Sequence, residues 1–348
     1  MRKLPETVSS LLVASIVIYG IASGAVEGAT LNVANNGVDS ATCGSTTAPC
    51  RSISQAITNA RDGDRVVVGP GHYGDLNGNG MFEPVSGEEA AEVGFGCVCM
   101  IKVDKSVTLE STDGAAATVL EAGGADVRGV VIAANEVVFG KKRHGFTISN
   151  SRREGLLLDG NTSAVTVVGN VASGNGSNGN DAFFVQGNGH TVSDNVASDN
   201  ARSGFGVHGS GHTVSDNVAY SNLQGFEVSS GHFTGNIVNG NRLHGFVVNG
   251  SDVEIRRNLI VSNGNLGIRA FSNVVITENN IFGNDTLGGN CGLLNQSGTS
   301  LAAPNNFWGA PSGPGPDPAD AVCNDVGLTT IVDPVATKAF HIAVRAGR

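Results

Sequence analysis

Residues 191–200 read Thr-Val-Ser-Asp-Asn-Val-Ala-Ser-Asp-Asn, and residues 213–222 read Thr-Val-Ser-Asp-Asn-Val-Ala-Tyr-Ser-Asn, the same phrase 22 residues later. Outward from this pair, asparagine recurs in two columns. One is Asn170, Asn195, Asn217, Asn236, Asn258 and Asn279, with steps of 25, 22, 19, 22 and 21 residues. The other is Asn175, Asn200, Asn222, Asn241, Asn263 and Asn284, each five residues after its partner. Self-similarity at a period near 20 marks a solenoid in which each repeat is one turn of a coil. Asparagine tolerates the left-handed backbone of a sharp bend, and its amide can bond to the next copy. The two columns are therefore expected at two corners of each coil, with short strands between.

The intervening residues alternate as strands do. Three positions before the first column stand Val167, Val192, Val214, Phe233, Ile255 and Ile276, next to the more polar Thr166, Thr191, Thr213, His232 and Glu254, with Val275 last. This is period-two patterning, with the apolar set expected inside. After the second column a further strand repeats around Phe205, Phe226, Phe246 and Ile268. The three phenylalanines should stack as an inner ladder, because parallel strands ~4.8 Å apart carry each residue onto its successor. The pattern predicts an all-β fold, a right-handed parallel β-helix of about nine coils. A sandwich or propeller would not place asparagines at fixed offsets in a repeat this short.

Fifty glycines, 5% aromatic and 15% charged residues suit a turn-rich solenoid, and 40% hydrophobic content excludes simple disorder. The net charge of −10 argues against a nucleic-acid partner. The one dense basic cluster, Lys141-Lys142-Arg143-His144, reads as a solvated loop. At the amino terminus Arg2 and Lys3 precede an apolar run, Leu11 to Ala22, and then the small residues Ser23, Gly24 and Ala25. This layout predicts a signal peptide over residues 1–25 and an exported protein: secreted, periplasmic or on the cell surface. An uncleaved anchor is the alternative.

Six cysteines fit an oxidising compartment. Proximity suggests disulfides Cys43–Cys50 and Cys291–Cys323. Cys97 and Cys99 flank Val98, so a disulfide there needs an unusual local bend, and a metal site at the pair is the other option. Residues 51–60 have apolar residues at 53, 56, 57 and 60, the spacing of a short helix that would cover the open end of the first coil. The predicted organisation is a cap over 26–62, a β-helix over 63–285 interrupted by a polar insertion at 74–98, and a Gly/Pro-rich cap and tail over 286–348, with a last strand against the cap.

Two stretches carry a family resemblance. Residues 43–73 combine Cys43, Pro49-Cys50-Arg51-Ser52-Ile53 and Gly63-Asp64-Arg65-Val66-Val67-Val68-Gly69-Pro70-Gly71-His72-Tyr73. Residues 305–314 read Asn-Asn-Phe-Trp-Gly-Ala-Pro-Ser-Gly-Pro. They resemble the opening and the closing tail of exported bacterial parallel β-helix proteins of the pectin-lyase-like superfamily. The resemblance covers nearly the whole mature chain and implies a fold; the superfamily mixes lyases, hydrolases, epimerases and proteins with no known reaction. Its acidic polysaccharide lyases use calcium and a basic residue on the outer face of one strand column. Its epimerases carry Asp-Pro-His, which this chain lacks.

Three sets of residues could carry chemistry. Asp194 and Asp216 each precede a first-column asparagine and should stack; their column continues through Gly235, Arg257 and Glu278. They form a ligand or cation site, or else solvated turn acids inherited with the repeat. His208 and Glu227 should lie on the outer side of the phenylalanine strand, with Arg269 two coils on in the Glu227 column and His244 nearby. This face is the favoured groove. His190 and His212 are expected inside as a packed stack, and His232 outside. Finally, Asp75-Leu76-Asn77-Gly78-Asn79-Gly80 resembles the first half of a calcium loop, with Glu83, Glu88 or Glu89 as the missing acid. Residues 179–183, Gly-Asn-Asp-Ala-Phe, echo a calcium-roll repeat once, and such sites need tandem copies. The expected function is recognition or scaffolding of extracellular or envelope polysaccharide by a monomer without catalysis. The alternative is a polysaccharide-modifying enzyme, a lyase, epimerase or hydrolase of acidic glycans.

Overall fold

The computed structural model describes residues 28–92, 97–285 and 288–343. The expected signal peptide lies outside these residues. The chain winds as a right-handed parallel β-helix of about nine coils with three strands to the coil. The phenylalanine sheet runs through Leu156–Leu158, Phe183–Val185, Ser203–Val207 and on to Ile268–Ala270. The valine sheet holds Thr166–Val168, Thr191–Ser193, Thr213–Ser215 and Val275–Thr277. The nine-stranded corner sheet includes Val171–Ser173, Val196–Ser198 and Val218–Tyr220, the residues between the two asparagine columns. Two long strands, Gln224–Thr234 and Phe246–Arg256, run without a break from the phenylalanine sheet into the valine sheet. All strand pairs that build the coils are parallel, and Phe183, Phe205, Phe226, Phe246 and Ile268 follow one another in register.

Asparagine fixes this register from inside the corners. The Asn195 backbone N–H donates to Asn217 Oδ1 at 3.0 Å, and the Asn195 amide donates to the same oxygen at 3.1 Å and to Val167 O at 2.9 Å. Each amide thus clamps the coil before and the coil after its own. The first ladder continues beyond Asn279 to Asn306, and the second ends on the Asp320 carboxylate. The left-handed residue is not the asparagine, as the sequence reading had it, but the one before it: Asp194 at φ 55°, Asp216 at 56°, Arg257 at 55° and Glu278 at 58°. The bend must precede the asparagine so that its amide turns inward.

The core is the inward half of the alternation. Val167, Val192, Val214, Phe233, Ile255 and Ile276 are all fully buried. Phe183, Phe205, Phe226 and Phe246 stack with ring centroids 4.7–4.9 Å apart and interplanar angles of 6–11°. His190 and His212 stack likewise at 5.1 Å, inside as expected. The expected helix spans Ile53–Asn59 and buries Ile53, Ala56 and Ile57 over the first coil. Ser52 caps it, and the buried Glu89 of the insertion accepts from Ile53 N and Ser54 N at 2.8 Å each, satisfying N–H groups that a helix start leaves open. Cys43–Cys50, Cys291–Cys323 and Cys97–Cys99 are disulfides. The last forms because Val98 takes a left-handed φ of 48°, the bend the sequence reading required. At the far end Thr330–Ile331 pairs with Leu301–Ala302, and Phe340 exchanges two hydrogen bonds with the Asn280 side chain.

Phe226 sits mid-stack between two parallel neighbours and touches Phe233 edge-on. Phe226→Ala should lower stability by ~3–5 kcal/mol in urea unfolding, through lost burial and the cavity left. An unchanged midpoint would show that the stack does not hold the coils together.

Candidate functional site

Three successive coils present charged groups just outside the phenylalanine sheet. Asp181 precedes the first strand, Arg202 the second, and Glu227 lies within the third. The Arg202 guanidinium spans both acids: one terminal nitrogen is 2.8 Å from Asp181 Oδ1, the other 2.7 Å from Glu227 Oε2. Ser203 N also donates to Asp181 Oδ1, at 3.2 Å, and Asn249 reaches Glu227 Oε1 at 3.4 Å. Gly206 stands in register between Phe184 and Glu227. A side chain there would collide with Asp181, since a Cβ would fall 2.1 Å from its Oδ2. The carboxyl therefore fills a space that only glycine leaves open. His208 closes one side, edge-on to Phe184 at 5.3 Å between ring centroids, with Nδ1 3.1 Å from Ser229 Oγ.

The electrostatics are uneven. Asp181 is 2% exposed, and burial pushes its pKa up to about 6 against the pull of Arg202. Burial also pushes the imidazoles of His208 and His212 down, and those of His190 and His244 down to about 4. The inner histidines act as backbone acceptors: His190 Nδ1 accepts from Val165 N at 3.0 Å while Nε2–H donates to Gln186 O at 2.6 Å.

Of the residues expected in the groove, the structure brings His208 and Glu227 to the same face. His244 is buried behind it, its Nδ1 3.4 Å from Leu266 N. Arg269 does share the Glu227 column, but it donates to Gln296 at 2.8 Å and lies over the Phe271 ring at 4.4 Å. Asp181 and Arg202 escaped the sequence reading, which followed repeating positions. Asp181 was visible only in the discounted Gly-Asn-Asp-Ala-Phe echo. Asp194, Asp216, Arg257 and Glu278 do form one corner column, where Lys142 pairs with Asp194 at 3.0 Å and both arginines 256 and 257 hold Glu278.

The insertion loop folds around Asp75, whose carboxylate accepts from the backbone N–H of Asn77, Gly78 and Gly80. Asn77 and Asn79 each accept an N–H two residues on, and Asn77 reaches Glu83 at 3.4 Å. Glu88 accepts from Leu76 N and Glu83 N. A groove of about 720 Å³ lies beside the loop, lined by His72, Glu121 and Arg152 among others. Its Glu121 is committed to Gly123 N and Ser149 Oγ.

The fold defines a right-handed parallel β-helix protein. A solved rhamnogalacturonan lyase superposes with a TM-score of 0.59 at 13% identity, covering 90% of each chain. The pectate lyase Pel9A gives 0.51 at 16% identity, covering 89% of this chain and 79% of that one. At such identities the likeness is one of fold. No curated protein matches the chain in sequence. The family described as periplasmic copper-binding protein (NosD) matches residues 128–310, more than half the chain, and the protein belongs to that family. No helix among the described residues is long and apolar enough to cross a membrane.

Copper is held by imidazole, thiolate and thioether donors. All six cysteines here are in disulfides. Among the described residues one close group of potential ligands exists, Asp39 with Cys43 and Cys50, and its two sulfurs are bonded to each other. His190 and His212 have both ring nitrogens in hydrogen bonds to the backbone. Among the described residues, no close group of three or more histidine, cysteine or acidic donors other than this disulfide-bonded one is present to hold a copper ion.

Two outcomes are expected. Asp75→Ala should lower the melting temperature by several degrees even in chelator, because three loop N–H groups lose their acceptor. For pH, the folded Asp181 titrates above its unfolded value, so it takes up protons on folding between pH ~4 and ~6, and its contribution falls as pH rises through that window. His190 and His244 titrate below theirs, so their contribution rises with pH between ~4 and ~6.5. The two slopes oppose. Asp181→Asn should leave the histidine slope and make stability climb more steeply with pH than in the parent, as urea midpoints from pH 4 to 7 would show.

Proposed function

We propose that the protein recognises an envelope polysaccharide along the outward face of the phenylalanine sheet. The observation that carries this reading is the Asp181–Arg202–Glu227 group. Charged side chains taken from three coils are held together outside the solenoid, where they fill no core gap, and burying them carries a desolvation cost. The face offers what a saccharide needs: polar groups for hydroxyls, and apolar surfaces at Phe184 and the 40% exposed Phe271. Coils repeat at strand spacing, so a polymer lying along the axis meets an equivalent position on each. Membership of a periplasmic family and a fold shared with pectate and rhamnogalacturonan lyases support the reading. Calcium at the Asp75 loop belongs to this proposal as a weak brace: a cation would share Asp75 with three N–H groups, placing affinity near ~10⁻⁴–10⁻³ M.

Affinity electrophoresis against immobilised polysaccharides tests recognition. Phe184→Ala should weaken retardation about tenfold, near 1.4 kcal/mol, without a loss of fold. Retardation by no glycan, or equal retardation of the variant, would remove the face from the function.

A further inference from the structure

We propose that the groove beside the Asp75 loop is a second binding site, distinct from the phenylalanine face, and that it takes a phosphate-bearing sugar. The proposal goes beyond the recognition reading above and stands or falls separately from it.

The groove crosses four coils. His72 stands on the first, in the strand Gly71–Gly74, and Glu121 ends the strand that pairs with it. Asn150 and Arg152 follow the third strand of this sheet, and Ser177 follows the fourth. Three strand spacings make the groove roughly 14 Å long. Its volume of about 720 Å³ lies within the ~300–1,000 Å³ of small-ligand sites, room for a sugar and more than a lone ion needs. Main-chain bonds fix the order of its turns: Gly124 N donates to Asn150 O at 2.8 Å, and Asn178 N to Arg152 O at 2.8 Å. A Cβ added at Gly78 or Gly124 would meet nothing within 4 Å, so no described side chain intrudes there.

The acids of the groove are engaged within the protein. Both oxygens of Asp75 accept loop N–H groups, and Glu121 gives one oxygen to Gly123 N and the other to Ser149 Oγ. The donors are not engaged. Among the described residues, no hydrogen bond or ion pair holds the Arg152 guanidinium, the Asn150 amide, the His72 ring, or the N–H and hydroxyl of Ser177. Asp126 feels the Arg152 charge, but Arg153 grips it at 3.0 and 3.2 Å and Asn178 at 2.7 Å. A site whose free groups are donors suits a ligand rich in acceptors.

The kind of acceptor follows from the donors. Arg152 presents a charged fork, and the groove has no phenylalanine, tyrosine or tryptophan on which a neutral sugar would stack. A planar carboxylate is filled by that fork alone. A phosphate has three oxygens, and can also take Asn150 from the same turn and Ser177 from the coil beyond. Leu76, 40% exposed at the mouth, offers apolar surface to the sugar ring. The net charge of −10 opposes an anion only weakly, because in physiological salt charges beyond roughly 8 Å are largely screened. Arg152 and Glu121 then decide locally, with opposite signs.

Calorimetric titration of the full disulfide-bonded chain, in metal-free buffer at physiological salt, tests the site. The probes are inorganic phosphate, glucose phosphate, glucuronate and glucose. Expected is binding of both phosphates, tighter for the sugar phosphate, with glucuronate weaker and glucose silent. Arg152→Ala should weaken binding ~10–100-fold. Glu121→Gln keeps hydrogen-bonding partners for Gly123 N and Ser149 Oγ but removes the opposing charge, and should tighten binding severalfold. Phe184→Ala should leave it unchanged. Arg152 is exposed, and equal urea midpoints would show that its loss spares the fold. Binding of neither phosphate, undiminished binding by Arg152→Ala, or glucuronate binding as tight as glucose phosphate overturns the proposal. Binding that appears only on adding calcium also overturns it, since the cation and not Arg152 would hold the anion. In each case polysaccharide retardation, and its loss in Phe184→Ala, judges the phenylalanine face independently.

Discussion

Everything in this molecule hangs on how its corners satisfy their buried backbone. A coil that bends twice within six residues turns N–H groups inward, where an unpaired donor is costly. Asparagine meets this with one side chain: the oxygen accepts the N–H from the coil before, and the amide donates to carbonyl and side-chain oxygens on either side. No other short side chain is both donor and acceptor in that way. The exception shows the rule. A carboxylate, Asp320, occurs only where the second ladder ends and no further coil asks for a donor; burial there pushes its pKa up to about 6.

Because the ladder sets the vertical register, it also sets what becomes adjacent outside. Residues 21–25 positions apart in sequence lie side by side, as Asp181 with Arg202 and Arg202 with Glu227 do. The core behind them is closely packed, with phenylalanines stacked below 5 Å; Glu227 lies within a strand, and Asp181 and Arg202 lie immediately before the strands that carry this stack. Gly206 shows the coupling in one residue. Its inward neighbours Phe205 and Val207 are buried core, while its own missing side chain makes room for the Asp181 carboxyl.

This division explains what the sequence could disclose. The fold was legible because it is written in repeating positions: corner asparagines, inward valines, the phenylalanine stack and the inward histidines all recur at fixed offsets. The site was half legible. Glu227 stands on a strand and His208 just past one, at positions whose outward side could be counted from the repeat. Asp181 and Arg202 do not repeat; in the coils that follow, the Asp181 register position holds Ser203 and Gln224. A residue outside the pattern offers no periodic signal, and the ion pair linking it across coils exists only once the register is known. The left-handed turn residue was misplaced by one for a related reason. Asparagine's preference for that conformation is real, but here the demand for its amide inside the coil outweighs it.

The corner constraint also bears on the metal in the family's description. Imidazole is a good acceptor for a stranded N–H, and this solenoid uses it as one: His190 for Val165, His212 for His190, His244 for Leu266. A nitrogen lone pair directed at a backbone donor is not directed at a metal ion, and burial that pushes the imidazole pKa down favours the neutral ring that accepts. Cysteine is likewise withdrawn into cross-links. These three imidazoles and the cysteine sulfurs serve the scaffold.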